Sequence, residues 1–481
     1  MKLASIIRTL GLLLVLFSAT LAPPLLVSLF YRDGETADFS ATLILALVTG
    51  LALWLPLLRR KATLHARDAF AVVAILWTAM SVLGGIPFML ALDVSFADAV
   101  FESVSGYTTT GATVLVGLDS MPESILFYRQ ELQWLGGIGV IVLAVALLPM
   151  LGIGGMQLYK AEVPGPFKDE RMTPRIARTA RRLSELYVGL TALCAVCFWI
   201  AGMSVFDAVG HAMSTLSTGG FSTHDASIAY FESPLVEAIA VVFMMAGGVN
   251  FSVHFIAWRA LRVHVYGHDA QTKAFALIVA GLTLIVAALL YFTGTYGEPL
   301  QALRHGVFQV VSVITTTGFA TANFAVWPLA LPVLLIFSSF IGGSAGSTSG
   351  GLKVIRFVIL GKLAGVQLQR LVHPRSIGLV KVDGRVVTHG IVDGIWGFFT
   401  VYVSVFAALL VVLMLDGVDQ VTAFGAVATS LNNLGPGLGE VAGNFIPLTD
   451  QSTLLLAFSM LLGRLEIFTF LVLLTPAFWR R

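Results

Sequence analysis

The sequence predicts an all-α polytopic membrane protein with ten transmembrane helices, organised as four similar units that follow two extra helices. Of its 481 residues 57% are hydrophobic and only 12% are charged, whereas soluble domains carry about 25% charged residues. Long apolar segments recur along the chain, and a short glycine motif lies between them four times. Because no polar stretch is long enough to fold separately, we expect no extramembrane domain.

The two extra helices form an N-terminal segment, residues 1–67. A signal peptide would also begin with basic residues and an apolar run, but its apolar region has roughly 7–15 residues. The run here is longer, which favours an uncleaved spanning helix, with a kink expected at Pro23 and Pro24. The second span, 39–58, ends at the basic run 59–61, which is typical of the cytoplasmic side.

Each of the four units contains a first span, a short segment that leads to the glycine motif, and a second span. The units cover residues 68–182, 183–272, 273–386 and 387–481. We expect the first spans at 69–91, 183–201, 274–292 and 390–415. We expect the short segments at 96–107, 206–216, 303–314 and 421–431. We expect the second spans at 132–158, 235–258, 326–360 and 452–478.

The basic residues give an independent indication of topology. Of the 29 Lys and Arg, 25 fall in segments predicted to lie inside, three fall outside, and Arg464 lies within the last span. This asymmetry predicts two cytoplasmic termini and four external glycine motifs. The three outside are Arg32, Arg129 and Arg304. External carboxylates should line a mouth that attracts cations, namely Asp98, Glu102, Asp207, Asp225, Glu232 and Glu440.

The glycine motif is a threonine-rich run that ends in glycine. Its four copies are Thr109-Thr110-Gly111, Ser217-Thr218-Gly219, Thr316-Thr317-Gly318 and Asn433-Leu434-Gly435, with the glycines 108, 99 and 117 residues apart. A single copy would be an ordinary helix end with glycine as the C-cap. The preceding segments are too short to cross a bilayer, so the chain must enter partway and return. Four such loops on one side favour a ring of carbonyls that replaces the hydration shell of a monovalent cation.

A polar run interrupts the second span of the third unit. It consists of Gly342, Gly343, Ser344, Ala345, Gly346, Ser347, Thr348, Ser349, Gly350 and Gly351. A flexible linker has this composition, but a linker here would leave two truncated spans. We therefore expect a break in the helix at membrane depth, where non-helical backbone lines a cavity or is buried in protein.

Arg464 is the one basic residue predicted deep in a span. A charged side chain at that depth is costly, so it is either paired or functional. Glu466 is too near in sequence to face Arg464 across one helix. An ion pair with another helix and a role beside an ion pathway both stay open on these grounds.

Other candidate sites are weaker. The glycine runs at 136–139 and 152–155 resemble phosphate-binding loops, but they lie in apolar spans, where they favour close helix packing. Cys194 and Cys197 could form a redox motif, yet their apolar surroundings favour two core residues. The histidines lack metal-ligand spacing. No nucleophile triad or carboxylate pair stands out, so we do not expect an enzyme.

At these motifs the chain resembles the Trk/Ktr/HKT superfamily of potassium transporters, and it is most similar to the bacterial Trk potassium-uptake subunit. The resemblance covers nearly the whole chain and is specific at residues 148–162 and 219–227. It implies one filter glycine per unit, at Gly111, Gly219, Gly318 and Gly435. Sodium-selective plant relatives often have serine at the first of these positions, so glycine implies potassium. The fourth motif lacks Thr-Gly, as in the family, which makes the filter chemically asymmetric.

The resemblance also implies roles and partners. The polar run 342–351 would be a gate beneath the filter, and the charge of Arg464 would limit cation flow beside it. The basic segments 160–182 and 353–385 would dock a separate nucleotide-binding (NAD- or ATP-type) regulatory subunit, although solvated anchoring loops are an alternative. The family implies a homodimer in the lipid of the bacterial inner membrane, without a nucleic-acid partner. This chain would need no cofactor, and potassium would be its only metal ion, as the transported ion.

Alternative functions remain within and outside this class. A sodium or non-selective monovalent cation transporter could share the fold. A secondary transporter with inverted repeats is disfavoured because every unit begins on the inside, which makes the units parallel. A membrane enzyme or assembly factor would need a polar catalytic cluster that the sequence lacks. Channel-like transport and proton-coupled symport are not distinguished.

Overall fold

The computed structural model describes residues 3–59, 66–146, 174–376 and 378–480. Several predicted features lie outside these residues. They are the end of the first unit's second span, the glycine run 152–155, the family-like string 148–162 and most of the basic segment 160–182.

The N-terminal segment contains the two predicted spans. Helices α1 (Leu3–Thr20) and α2 (Ala22–Tyr31) form one span that breaks at Leu21, two residues before the first of the two prolines that predicted a kink. Helix α3 (Thr36–Trp54) is the second span. It packs along α1, where Gly11 and Gly50 let the two backbones approach closely.

Each unit supplies a long first helix, a short helix and a second helix. The first helices are α4 (Ala66–Gly84) with α5 (Ile86–Leu92), α8 (Pro174–Ile200), α12 (Ala270–Phe292) and α16 (His389–Leu415). The short helices are α6 (Phe96–Tyr107), α9 (Val205–Ser217), α13 (Pro299–Ile314) and α17 (Gln420–Asn432). The second helices are α7 (Glu123–Ala146), α10 (Pro234–Gly248) with α11 (Phe251–Ala260), α14 (Leu331–Ile341) with α15 (Val354–Val372), and α18 (Asp450–Arg464) with α19 (Phe468–Leu474) and α20 (Pro476–Trp479).

The short helices match the predicted segments to within four residues at each end, because local signals set their starts. Ser95 and Ser204 each accept a bond from the amide three residues later, Asp98 or Asp207. Each serine hydroxyl also donates to that aspartate, which reinforces the cap. Asp419 caps α17 through the amides of the first turn, and hydrogen bonds from Thr422 hold the pKa of the Asp419 carboxyl below its usual range.

The second helices depart most from prediction. The segments expected as single second spans at 235–258 and 452–478 are each broken by a bend, since α10 and α11 meet at 102° and α18 and α19 at 110°. At the first bend Val249 is extended and Asn250 caps the next helix through the Ser252 amide. At the second bend Glu466 adopts a φ of 53°. The first bend lies within a largely apolar run, so hydropathy does not mark it, whereas Arg464 and Glu466 lie at the second bend.

Helix α7 begins nine residues before the expected start at 132, directly after Pro122. Its added turns carry Arg129, Gln130 and Glu131, which are buried. Because these side chains are polar, hydropathy did not predict this part of the helix. Arg129, which was counted among the outside segments, is a buried residue of α7.

The described residues contain six helices that are long and apolar enough to cross a membrane, or eight if each bent pair counts as one span. The count of ten therefore stays a prediction. Helix α7 carries too many polar residues to be counted, and the helix α14 has only 11 residues before the polar run interrupts it.

The helices of the four units pack in a cycle. The second helix of each unit contacts the short helix of the next: α7 packs on α9, α10 on α13, α14 on α17, and α18 returns to α6. A small antiparallel hairpin, β1 (Lys381–Val382) and β2 (Arg385–Val386), follows α15. Cys194 is buried in the core and Cys197 is partly buried, and both are free thiols, which agrees with the core interpretation.

The glycine run 136–139 confirms the prediction of close helix packing. A Cβ atom on Gly136 would overlap the carbonyl oxygen of Tyr107, and one on Gly137 would meet the Tyr187 hydroxyl and the Ser217 Cβ. No room exists there for a phosphate.

We expect Gly136→Ala to destabilise the protein by about 1–3 kcal/mol, because the added methyl forces α7 away from the end of α6. Gly189→Ala on α8 is the matched control, since nothing lies within 4 Å of its Cβ position. Thermal unfolding of the purified protein in detergent should give a lower midpoint for the first variant only. Equal midpoints would contradict the packing described here.

Candidate ion-binding site

The four short helices end in the same backbone arrangement. We define the chain that follows them as loop 1 (108–112), loop 2 (217–221), loop 3 (315–319) and loop 4 (432–436). In each loop one amide donates to the carbonyl five residues earlier: Thr110 to Ser105 (2.8 Å), Gly219 to Ser214 (2.9 Å), Thr317 to Ser312 (2.8 Å) and Leu434 to Thr429 (2.8 Å). This bond is the long-range hydrogen bond of a Schellman motif, and it aligns the four loops residue by residue.

The left-handed residue of each motif is not glycine. It is Thr109, Thr218, Thr316 or Asn433, with φ between 51° and 57°. A β-branched residue with positive φ is a rare outlier. A non-glycine residue held in this region costs about 1–3 kcal/mol and tends to occur at functional sites. The interpretation of the motif as an ordinary helix end with glycine as the C-cap is therefore wrong.

A glycine with positive φ follows two residues later in every loop. The four are Gly111, Gly220, Gly318 and Gly435, with φ of 81°, 82°, 83° and 98°. Loop 2 thus places Gly220, and not the expected Gly219, at the position of the other three. Two adjacent glycines left this alignment ambiguous, and the bond from Gly219 to Ser214 resolves it. Gly219 corresponds instead to Thr110, Thr317 and Leu434.

These glycines bring the loops into backbone contact. A Cβ atom on Gly111 would overlap the carbonyl oxygen of Gly219, and a Cβ on Gly220 would overlap that of Thr317. In the same way Gly318 faces the carbonyl of Leu434, and Gly435 faces that of Thr110. The contacts run from loop 1 to loop 4 and back to loop 1, so the four loops close a ring that a side chain at any of the four glycines would open.

A cavity of about 370 Å³ lies against this ring and is lined by all four glycines. The prediction that six carboxylates line the mouth is wrong, because only Asp225 among them lines the cavity. Asp98 and Asp207 help to cap short helices, and Glu102 is fully buried. Glu232 and Glu440 do not line it.

A buried ion pair, missed by the sequence reasoning, joins the exits of loops 1 and 2. Arg129 Nε lies 2.8 Å from Glu102 Oε1. The same guanidinium donates to the Ser222 carbonyl at 3.0 Å and lies 4.1 Å from the centre of the Phe221 ring. Glu102 also accepts bonds from the Thr113 hydroxyl and the Val114 amide. The carboxylate therefore holds loop 1 while its partner holds loop 2.

The polar run 342–351 contacts the ends of three short helices. The Thr348 hydroxyl donates to the Leu216 carbonyl at 2.9 Å, the Ser349 hydroxyl to the Thr315 carbonyl at 2.6 Å, and the Gly351 amide to the Asn432 carbonyl at 3.0 Å. Ser344, Ser347, Thr348 and Ser349 are buried. The run is an ordered, hydrogen-bonded segment, so the linker interpretation does not describe it.

Arg464 lies beside this segment and donates from Nη1 to the Thr348 carbonyl at 2.7 Å. Within the residues that the structure describes, it makes no salt bridge, which removes the support for the ion-pair alternative. Glu466 pairs instead with Arg356 at 2.7 Å.

Two residues predicted to lie on the basic cytoplasmic surface are placed elsewhere. Arg356 is buried. Lys353, which is half-buried, donates from Nζ to the Ser349 carbonyl at the end of the polar run. The surface formed by residues 353–385 is therefore smaller than expected, because these two cations satisfy carbonyl or carboxylate groups inside the protein.

We expect Arg129→Met to destabilise the protein by about 3–5 kcal/mol, because it leaves the Glu102 carboxylate buried without its cation. Adding Glu102→Gln removes the unpaired charge and should restore part of the loss. Arg304→Met is the matched control, since Arg304 pairs with Glu237 but is about one-third exposed. Denaturant unfolding of the four proteins would show this order. A loss for Arg129→Met no larger than that for the control would contradict it.

Comparisons with known proteins agree over the full chain. The sequence profile of the TrkH family, described as a cation transport protein, matches residues 36–481. The chain is 52% identical to the Trk system potassium uptake protein TrkH of Vibrio parahaemolyticus over 100% of both chains. It is 48% identical to TrkH of Escherichia coli strain K12, also over 100% of both. The crystal structure of the potassium transporter TrkH from Vibrio parahaemolyticus matches with a TM-score of 0.93 and 50% identity, and covers 100% of each chain.

Proposed function

This chain belongs to the TrkH family of cation transport proteins, and we propose on that premise that it takes up potassium across the bacterial inner membrane through a filter formed by loops 1 to 4. The closed cycle of glycine–carbonyl contacts around one cavity carries the proposal. The names of relatives that are about half identical support potassium as the ion. In this proposal the four units are parallel repeats around a pseudo-fourfold pore, with ten spans and two cytoplasmic termini.

The filter would act through the backbone. A potassium ion that enters the ring exchanges its water shell for carbonyl oxygens. The C-terminal ends of the four short helices point into the loops, and their partly negative carbonyls favour a cation there. The close glycine–carbonyl contacts hold the ring at one size, which disfavours its collapse around a smaller sodium ion.

The four loops would not contribute equally. Thr110 and Thr317 each carry a hydroxyl at a position where loop 2 has Gly219 and loop 4 has Leu434. Asn433 donates from its amide to the Thr110 hydroxyl at 3.0 Å, which occupies that oxygen. Sodium or non-selective monovalent cation transport is the second candidate function, and this asymmetry is the observation that favours it.

The polar run 342–351 would be the gate. Its bonds to Leu216, Thr315 and Asn432 attach it to the inner ends of the short helices, so ions pass only when it moves. The positive charge of Arg464, held at the Thr348 carbonyl, would oppose cations at the same level.

The wider assembly follows from the family. The names of the relatives place them in a Trk system, which supports a role as the membrane subunit of a multi-component system. A cytoplasmic nucleotide-binding regulatory subunit would dock on the remaining basic residues of segments 160–182 and 353–385. A homodimer is part of the same proposal. Symport with protons and channel-like flow both fit the ring.

We expect rubidium flux well above sodium flux when the wild-type protein is reconstituted into liposomes. Gly318→Ser should lower that ratio by about tenfold, equivalent to about 1.4 kcal/mol, because its side chain would displace the Leu434 carbonyl. Gly297→Ser is the matched control, since nothing lies within 4 Å of its Cβ position. Absence of cation flux from well-folded wild-type protein would refute the proposed function, and equal rubidium and sodium flux would favour the second candidate.

We expect Arg464→Ala to raise rubidium flux on the order of tenfold. At an effective dielectric constant of about 20, two unit charges on the order of 10 Å apart repel each other by about 1–2 kcal/mol, and removing the arginine charge should lower the barrier by a similar amount. Arg464→Lys retains a positive charge and should stay well below the alanine variant. Unchanged flux in folded Arg464→Ala protein would count against the charge as a barrier.

A further inference from the structure

One side chain outside the loops makes three hydrogen bonds to loop 2 and to the helix that leads into it. Gln133 lies on α7 and is fully buried. Its Nε2 donates to the Gly219 carbonyl at 2.7 Å. Its Oε1 accepts from the Ser214 hydroxyl at 2.7 Å and from the Phe221 amide at 3.1 Å.

These bonds fix the orientation of the amide and the conformation of the loop. The Gly219 carbonyl can only accept and the Phe221 amide can only donate, so one orientation of the Gln133 amide satisfies both. The two bonded groups flank Gly220, the ring glycine of loop 2. The Gly219 carbonyl itself lies against Gly111 of loop 1. Gln133 therefore holds an oxygen that belongs to the ring.

Gly219 is required for this arrangement. Its backbone conformation is one that other residues adopt, but a Cβ atom there would overlap the amide group of Gln133. The missing side chain of loop 2 thus makes room for a side chain from the preceding unit.

The second and fourth units have a different side chain at the position that corresponds to Gln133. Gly136, Gly247 and Gly463 are equivalent, because each faces the carbonyl of the last or next-to-last residue of its own short helix. The residue three positions earlier is Gln133 in the first unit, but Met244 and Met460 in the second and fourth. Those two second helices pack on the short helices that precede loops 3 and 1.

Loops 3 and 1 carry a threonine where loop 2 has glycine. The Thr317 hydroxyl bonds to the Thr315 hydroxyl at 2.8 Å, and the Thr110 hydroxyl to the Thr108 hydroxyl at 2.7 Å. Loops 3 and 1 therefore combine a threonine with a methionine from the preceding second helix, whereas loop 2 combines a glycine with Gln133.

We propose that Gln133 is a positioning residue for the filter, which replaces the missing threonine of loop 2 and orients the Gly219 carbonyl for potassium. This inference rests on the proposed function and deepens it by assigning part of the selectivity to a residue outside the four motifs. Gln133 sets the discrimination between potassium and sodium at loop 2 by holding one carbonyl in place.

The test replaces the glutamine–glycine pair at loop 2 with the methionine–threonine pair found at loops 3 and 1. Three variants, Gln133→Met, Gly219→Thr and the double variant, are reconstituted as full-length protein, and rubidium and sodium fluxes are measured for each. Gln133→Met removes three hydrogen bonds and should lower the rubidium-to-sodium ratio about tenfold. Gly219→Thr should lower it similarly, because the new side chain displaces the Gln133 amide. The double variant installs the pair of the second and fourth units, and its ratio should return to within about threefold of wild type.

Rescue is the outcome that a merely structural role would not give. Losses that multiply in the double variant would overturn the inference, as would a wild-type ratio in either single variant. If the double variant does not fold, Gln133→Asn decides, since it keeps an uncharged amide but shortens the side chain by one methylene, which withdraws the amide from the Gly219 carbonyl. A lowered ratio with an unchanged unfolding midpoint supports the inference, and a wild-type ratio refutes it. Wild-type protein without cation flux would refute the proposed function as well, whereas selective wild-type protein with unaffected variants refutes this inference alone.

Discussion

Each ring glycine lies directly against the backbone carbonyl of the next loop, and the rest of the structure depends on this close approach. The approach tolerates no side chain at Gly111, Gly220, Gly318 or Gly435. It also requires that every loop arrive at the same height and angle. All four loops share a Schellman hydrogen bond and a left-handed residue before the glycine, which give them the same backbone conformation. The cyclic packing of second helices on short helices then holds the loops together from outside.

Local signals in the sequence predicted the elements well. Serine and aspartate caps specify the starts of three short helices, and α6 matches the predicted segment at both ends. Composition also located the break at 342–351, because so many glycine and serine residues do not continue a helix. The comparisons confirm the prediction of a membrane protein that belongs to the TrkH family.

Features that depend on contacts between distant residues were not predictable in the same way. The bend at Asn250 occurs within an apolar run. The burial of Arg129 depends on its partner Glu102, which is 27 residues away in sequence. Gly219 and Gly220 were indistinguishable by composition, and a backbone hydrogen bond separates them. The sequence did not single out Gln133, because its contact with loop 2 depends on the space left by the missing side chain of Gly219.

The loops are joined in one polypeptide and differ in sequence, so the cavity has no symmetry-related copies of any side chain. In an assembly of four identical chains, every substitution would appear four times around the axis. In this chain a substitution at Leu434 or Gly219 alters one quarter of the ring and leaves the other three as they were. Evolution can therefore adjust the lining of the cavity in small steps, one face at a time, while the backbone contacts of the remaining faces preserve its dimensions.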